Sequence, residues 1–113
     1  MEREIGNFYI EGYNFDTRTY DSKENTVLLV IDLQEKLMPA IYDSEKIIRK
    51  SETLLKVFDM YDIKKIATEQ YPKGLGKSVQ GIKDYLDDDH IFSKTSFDAI
   101  TDEVFSYLKE NNI

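Results

Sequence analysis

Three polar groups stand where short apolar runs stop: Asp32 after "TVLLVI", Glu69 and Gln70 at the end of "KKIATEQ", and Lys94 at the end of "IFSK". A carboxylate beside an ammonium group stays ionised and held in place. Once substrate excludes water, such a carboxylate can serve as a general base or general acid. The chemistry requires Asp32 and Lys94, far apart in sequence, to face one crevice. The same two side chains could instead form an ion pair that only steadies the fold.

The elements that would bring them together can be read from the pattern. Val27 to Ile31 is a continuous apolar run rich in β-branched residues, as in a strand buried on both faces of a parallel sheet. Next, Ile47, Ile48, Leu54, Leu55, Phe58 and Tyr61 recur at helical spacing, with Ser51 on the same stripe. Asp43 or Ser44 suits the N-cap of that helix, and Glu45 favours the positive end of its dipole. "KKIATEQ" predicts a second strand and Pro72–Gly76 a loop. Ser78 is placed to cap a helix through Val79, Ile82, Tyr85 and Leu86. "DDDH" turns the chain into a third strand, "IFSK". A last helix is expected from about Ala99, with Ile100, Val104, Tyr107 and Leu108 on one side.

The order β-α-β-α-β-α implies right-handed crossovers and a parallel sheet with helices on its faces. The strand ends then share one edge, which is where ligands bind in open α/β sheets. Residues 1–24 read as an N-terminal arm carrying Phe8, Tyr9, Tyr13, Phe15 and Tyr20, and residues 25–113 as the α/β domain.

Composition excludes several functions. The 15 basic and 22 acidic residues leave a net charge of -7, which repels phosphate backbones and anionic lipid. Neither nucleic acid nor a membrane is therefore expected as a partner. There is no cysteine, so disulfides, zinc–thiolate sites and iron–sulfur clusters are ruled out. With a charged N-terminus and no apolar leader, a cytoplasmic location is expected. The "GLGKS" in "TEQYPKGLGKSVQ" resembles the end of a phosphate-binding P-loop, but Tyr71 and Pro72 stand where that loop starts with glycine. Proline has no N–H to offer an anion. "VLLVIDLQ" fits neither a phosphatase nucleophile, which needs an acid where Gln34 stands, nor a Walker B strand, which follows its P-loop. His90, the only histidine, has no carboxylate cluster at ligand spacing, and a strand-entry or solvent role is expected for it.

Three separated stretches, "LLVIDLQEKLMPAI", "ATEQYPKGLG" and "FSKTSFDAI", together resemble the first half of an isochorismatase-like hydrolase, the superfamily that includes nicotinamidases and other cysteine amidohydrolases. The resemblance runs from about Thr26 to the C-terminus. It implies a Rossmann-like three-layer α/β/α domain with a parallel sheet. It also implies catalytic roles for Asp32 and Lys94 and a substrate-lining role for Gln70. The metal-binding Asp/His pattern of nicotinamidases is not visible after the second strand, so no metal is expected, and no cofactor. "TEQYPKGLG" then corresponds to the family's loop after its second strand. In amidase members the aspartate takes a thiol proton and a cysteine attacks the carbonyl; members acting on vinyl ethers use the aspartate as an acid. The cysteine and the fourth strand are missing here, so the domain reads as truncated after its third β-α unit. The first strand is then left as a bare apolar edge. A small-molecule substrate, together with self-association or a complementing chain, is expected. A non-catalytic, self-associating scaffold or binding module of the same family is the alternative.

Overall fold

A computed structural model describes residues 22–113 and, before them, the backbone pairing of Glu4–Ile5 (β1) with Phe8–Tyr9 (β2). The aromatic side chains of the expected arm lie outside the described residues. Val27–Ile31 (β3), Lys64–Gln70 (β4) and Ile91–Lys94 (β5) form a parallel sheet in the order β3-β4-β5. All three strands fall where the apolar runs place them. Between them run the helices Ser44–Met60 (α1), Pro72–Leu75 (α2) and Gln80–Lys83 (α3), and Asp102–Glu110 (α4) follows β5.

Two crossovers that step the same way across a sheet put their helices on the same face. Accordingly, Leu55 of α1 and Ile82 of α3 meet Val30 and Ala67 in one buried cluster, with Leu28, Val79 and Ile91 packed against it. Successive strand residues point to opposite faces. Phe92 therefore turns away from that cluster and meets Tyr107 of α4 edge-on at 5.9 Å. Helices thus cover both faces, which gives the three-layer α/β/α arrangement.

Three local expectations change. The Pro72–Gly76 stretch contains a helical turn, with Pro72 at its first position, where a missing N–H costs nothing. The third helix is a single turn capped by Val79, because the Ser78 side chain is used elsewhere. The last helix starts at Asp102, not near Ala99, because Thr101 accepts the Val104 N–H at 3.4 Å and forms the cap. In α1, Asp43 holds the N-cap place at φ 56° without a side-chain cap bond. The apolar stripe of α1 also divides. Leu55 is fully buried, whereas Ile47 and Leu54 are exposed and, with Leu29 and Ile31, line a groove of about 180 Å³ along the outer edge of β3. Among the described residues no strand pairs with that edge.

Candidate active site

The β3–β4 ladder ends at the pair Ile31–Thr68. Asp32 still donates its N–H to the Thr68 carbonyl at 3.1 Å, but takes φ 56°, and the chain leaves the sheet. Asp is among the few residues that adopt this left-handed conformation at modest cost. On β4, Thr68 and Gln70 share a face by alternation, and Gln70 lies opposite Lys94 in the β4–β5 register. Asp32, Thr68, Gln70 and Lys94 therefore converge at the carboxyl edge of the sheet, on the side covered by α4.

Lys94 is the centre of the group. Its Nζ donates to Asp32 Oδ2 at 3.0 Å, to Gln70 Oε1 at 2.7 Å and to the Ser96 carbonyl at 3.1 Å. An ammonium group has three N–H donors, and all are used. The Lys94 side chain is 1% exposed, against 23% for Asp32, so water reaches the pair from the carboxylate side. The other oxygen, Asp32 Oδ1, accepts the Thr68 hydroxyl at 2.8 Å. Both oxygens are thus clasped from inside the protein. The carboxylate has one orientation, which suits it to exchange a proton with a group arriving from solvent.

A second layer of buried polar groups supports this edge. Gln34, fully buried, accepts the Gln70 N–H at 2.6 Å and donates to the carbonyls of Gln70 and Gly76, each at 2.8 Å. Glu69 points to the opposite face, where its Oε2 accepts the Ser78 N–H at 2.6 Å and the Ser78 hydroxyl at 2.8 Å. The Ser78 N–H and hydroxyl that a phosphate would need are thus already occupied by a carboxylate, the Gly76 N–H goes to the Pro72 carbonyl, and Lys77 faces solvent. Tyr71 continues the β4–β5 ladder by donating its N–H to the Lys94 carbonyl at 2.8 Å, then turns at φ 38°. A Cβ on Gly74 would meet the Tyr71 ring, so the ring lies over the turn where glycine leaves room for it.

The structure brings together all three residues that the sequence nominated: Asp32, Gln70 and Lys94. Thr68 went unnominated, although its position two residues before Gln70 on one strand was the available signal. Gln34 stood out only as a polar residue beyond a strand end. His90 sits in the turn before β5, 3.7 Å from Asp87 and edge-on to Tyr107 at 5.6 Å, away from the site. Among the described residues, no group of three or more His, Cys, Asp or Glu is arranged to hold a metal ion, and no helix is long and apolar enough to cross a membrane.

Residues 26–113 match the isochorismatase domain family. The chain belongs to the isochorismatase family. It is 38% identical over 93 residues to isochorismatase domain-containing protein 2 of Danio rerio, covering 78% of this chain and 44% of that relative. It is 31% identical to isochorismatase family protein 1A of Dictyostelium discoideum, covering 80% of this chain and 46% of the relative. Among solved structures it is similar to MAR1 ribonuclease from Caenorhabditis elegans, with a TM-score of 0.73 and 37% identity over 80% of this chain and 48% of that one. The chain thus spans less than half the length of these isochorismatase-family relatives.

Proposed function

We propose that the chain carries the Asp–Lys part of a hydrolase site acting on an amide C–N or vinyl-ether bond of a small molecule. Asp32 is the general base or acid, Lys94 its charge partner, and Gln70 lines the substrate. The observation that carries this reading is the 3.0 Å Lys94–Asp32 pair, closed on the lysine side and open to water on the carboxylate side. With no cysteine in the chain, a thiol nucleophile of the amidase type has to come from outside these 113 residues. For the amide reading a complementing chain of different sequence therefore belongs to the proposal, because a second copy of this chain brings no cysteine either.

The internal use of every Lys94 N–H favours a second reading, a non-catalytic scaffold or binding module in which the pair is structural. Asp32→Asn separates the two. It is nearly isosteric, and the catalytic reading expects it to abolish turnover of small amides or vinyl ethers, by roughly 100-fold or more, while near-UV circular dichroism stays unchanged. Turnover that survives the substitution would make Asp32 structural. Two of the similar solved proteins carry ribonuclease in their names, so RNA belongs in the same panel. The net charge of -7 opposes a polyanionic substrate, and small molecules are preferred.

A further inference from the structure

If the β3–β4 ladder continued past Ile31, residue 33 would face Gln70. It does not, because Asp32 turns at φ 56° and the Leu33 carbonyl is taken by the Val79 N–H at 2.9 Å. The last peptide of β4 would be left unpaired on that side. We propose that Gln34 is a positioning residue whose side-chain amide stands in for the missing strand residue opposite Gln70, and thereby fixes Gln70 for its contact with Lys94. The inference rests on the hydrolase reading only in treating Gln70 as substrate-lining.

The geometry is specific. The amide oxygen takes the Gln70 N–H and the amide nitrogen gives one hydrogen to the Gln70 carbonyl, so one planar amide pairs with both main-chain groups of one residue. Its second hydrogen goes to the Gly76 carbonyl, which ties the Tyr71–Gly76 turn to the same point. Glutamate of the same length lacks both hydrogens, and leucine lacks every polar atom. The Gln70 side chain leaves this fixed backbone and accepts from Lys94 at 2.7 Å. Because lysine only donates, the Gln70 amide oxygen must face Lys94, and its NH2 is directed away from the lysine.

A purely structural role, as a satisfied buried polar group, predicts a global loss of stability on substitution. A positioning role predicts a local one. Amide hydrogen exchange of the full 113-residue chain, read by NMR, distinguishes them without needing turnover, so a failure of the hydrolase reading would show separately in the Asp32→Asn assay. In Gln34→Leu the Gln70 N–H is expected to exchange about tenfold faster or more. The Lys94 ammonium signal should move, while the Leu55 and Ala67 amides keep their rates. In Gln34→Glu the acceptor for the Gln70 N–H survives but both donors are lost. That amide should stay protected, while Gly76 and Lys36, whose N–H groups close the adjoining turn, exchange faster. Unchanged Gln70 and Lys94 signals in Gln34→Leu, or equal acceleration across the whole sheet, would overturn the proposal. Should Gln34→Leu fail to fold, unchanged exchange at Gly76 and Lys36 in Gln34→Glu would overturn it instead.

Discussion

At the residue scale, a nearly dry ammonium group is tolerable only because each of its three hydrogens has an oxygen to meet, one of them charged. Replacing Lys94 by methionine would keep the packing of the stem but leave the Asp32 carboxylate, the Gln70 amide oxygen and the Ser96 carbonyl without their donor. Because Asp32 keeps some contact with water, the expected loss is about 2–3 kcal/mol rather than the larger figure for a wholly buried pair. Urea unfolding measures it. Lys94→Arg should not restore the loss, because a planar guanidinium cannot reach three diverging acceptors from the same stem. A Lys94→Met chain as stable as the parent would show that the pair contributes nothing net to folding. A separate residue-scale prediction concerns Tyr107, whose phenol is pushed above its ordinary value by burial. Ionising it is harder in the folded state, so the folded chain holds that proton longer than the unfolded one. Its contribution is intact below the ordinary tyrosine range near pH 10 and is lost as pH rises through the folded value. Tyr107→Phe should flatten this part of the alkaline stability profile followed by urea midpoints between roughly pH 9 and 11.

At the scale of elements, the strands were legible because runs of strand length end in polar residues, but the full burial expected of Val27–Ile31 is not met: Val30 alone is buried and Ile31 is half exposed along the unpaired edge. Asp32, Gln70 and Lys94 were legible as strand ends for the same reason, since parallel strands place their carboxyl ends on one edge. Asp43 was legible as the N-cap of α1, but the starts of α3 and α4 were not, because each depends on how a cap-type hydroxyl is used. Ser78 has the residue type of a cap, yet its hydroxyl goes to Glu69, and Thr101 takes the cap that the apolar pattern sets nearer Ala99. Nor could the partners of Gln34 be read, because they depend on the positive φ at Asp32, which no local pattern announces; Thr68, by contrast, was legible from its alternation with Gln70 on one strand. The split stripe of α1 gives a direct test. Leu55 is fully buried while neighbouring Leu54 is half exposed. Leu55→Ala should cost about 3 kcal/mol, within the range for emptied core sites, and Leu54→Ala should stay within about 0.5 kcal/mol, as at a surface position. Equal losses at a concentration where the chain is monomeric would mean that the groove beside β3 is filled in the single chain.

At the scale of the whole molecule, the edge of β3 left unpaired among the described residues is what we expect to govern association in solution. β3 carries no charge over Val27–Ile31 and, among the described residues, has β4 on one side only, so along its other side a row of backbone donors and acceptors runs beside an apolar groove. Such an edge pairs readily with another strand. The occupant we expect is the same strand of a second copy. Run antiparallel across a two-fold axis, two β3 strands satisfy each other's open groups, and the contact is closed, which leaves no further edge of this kind to propagate. Thermal unfolding followed by near-UV circular dichroism, with the eight tyrosines as the tertiary signal, should then give a cooperative transition whose midpoint rises with protein concentration. Sedimentation velocity should show a dimer. Leu54→Glu, which sets a charge in the groove without entering the Asp32–Lys94 group, should shift the chain to monomer and remove the concentration dependence. A midpoint independent of concentration, with a monomer in the centrifuge, would rule out self-pairing through this edge. The absence of near-UV signal with helix retained in the far-UV would mean a molten half-domain, and Asp32 and Lys94 would then meet stably only with a complementing chain present.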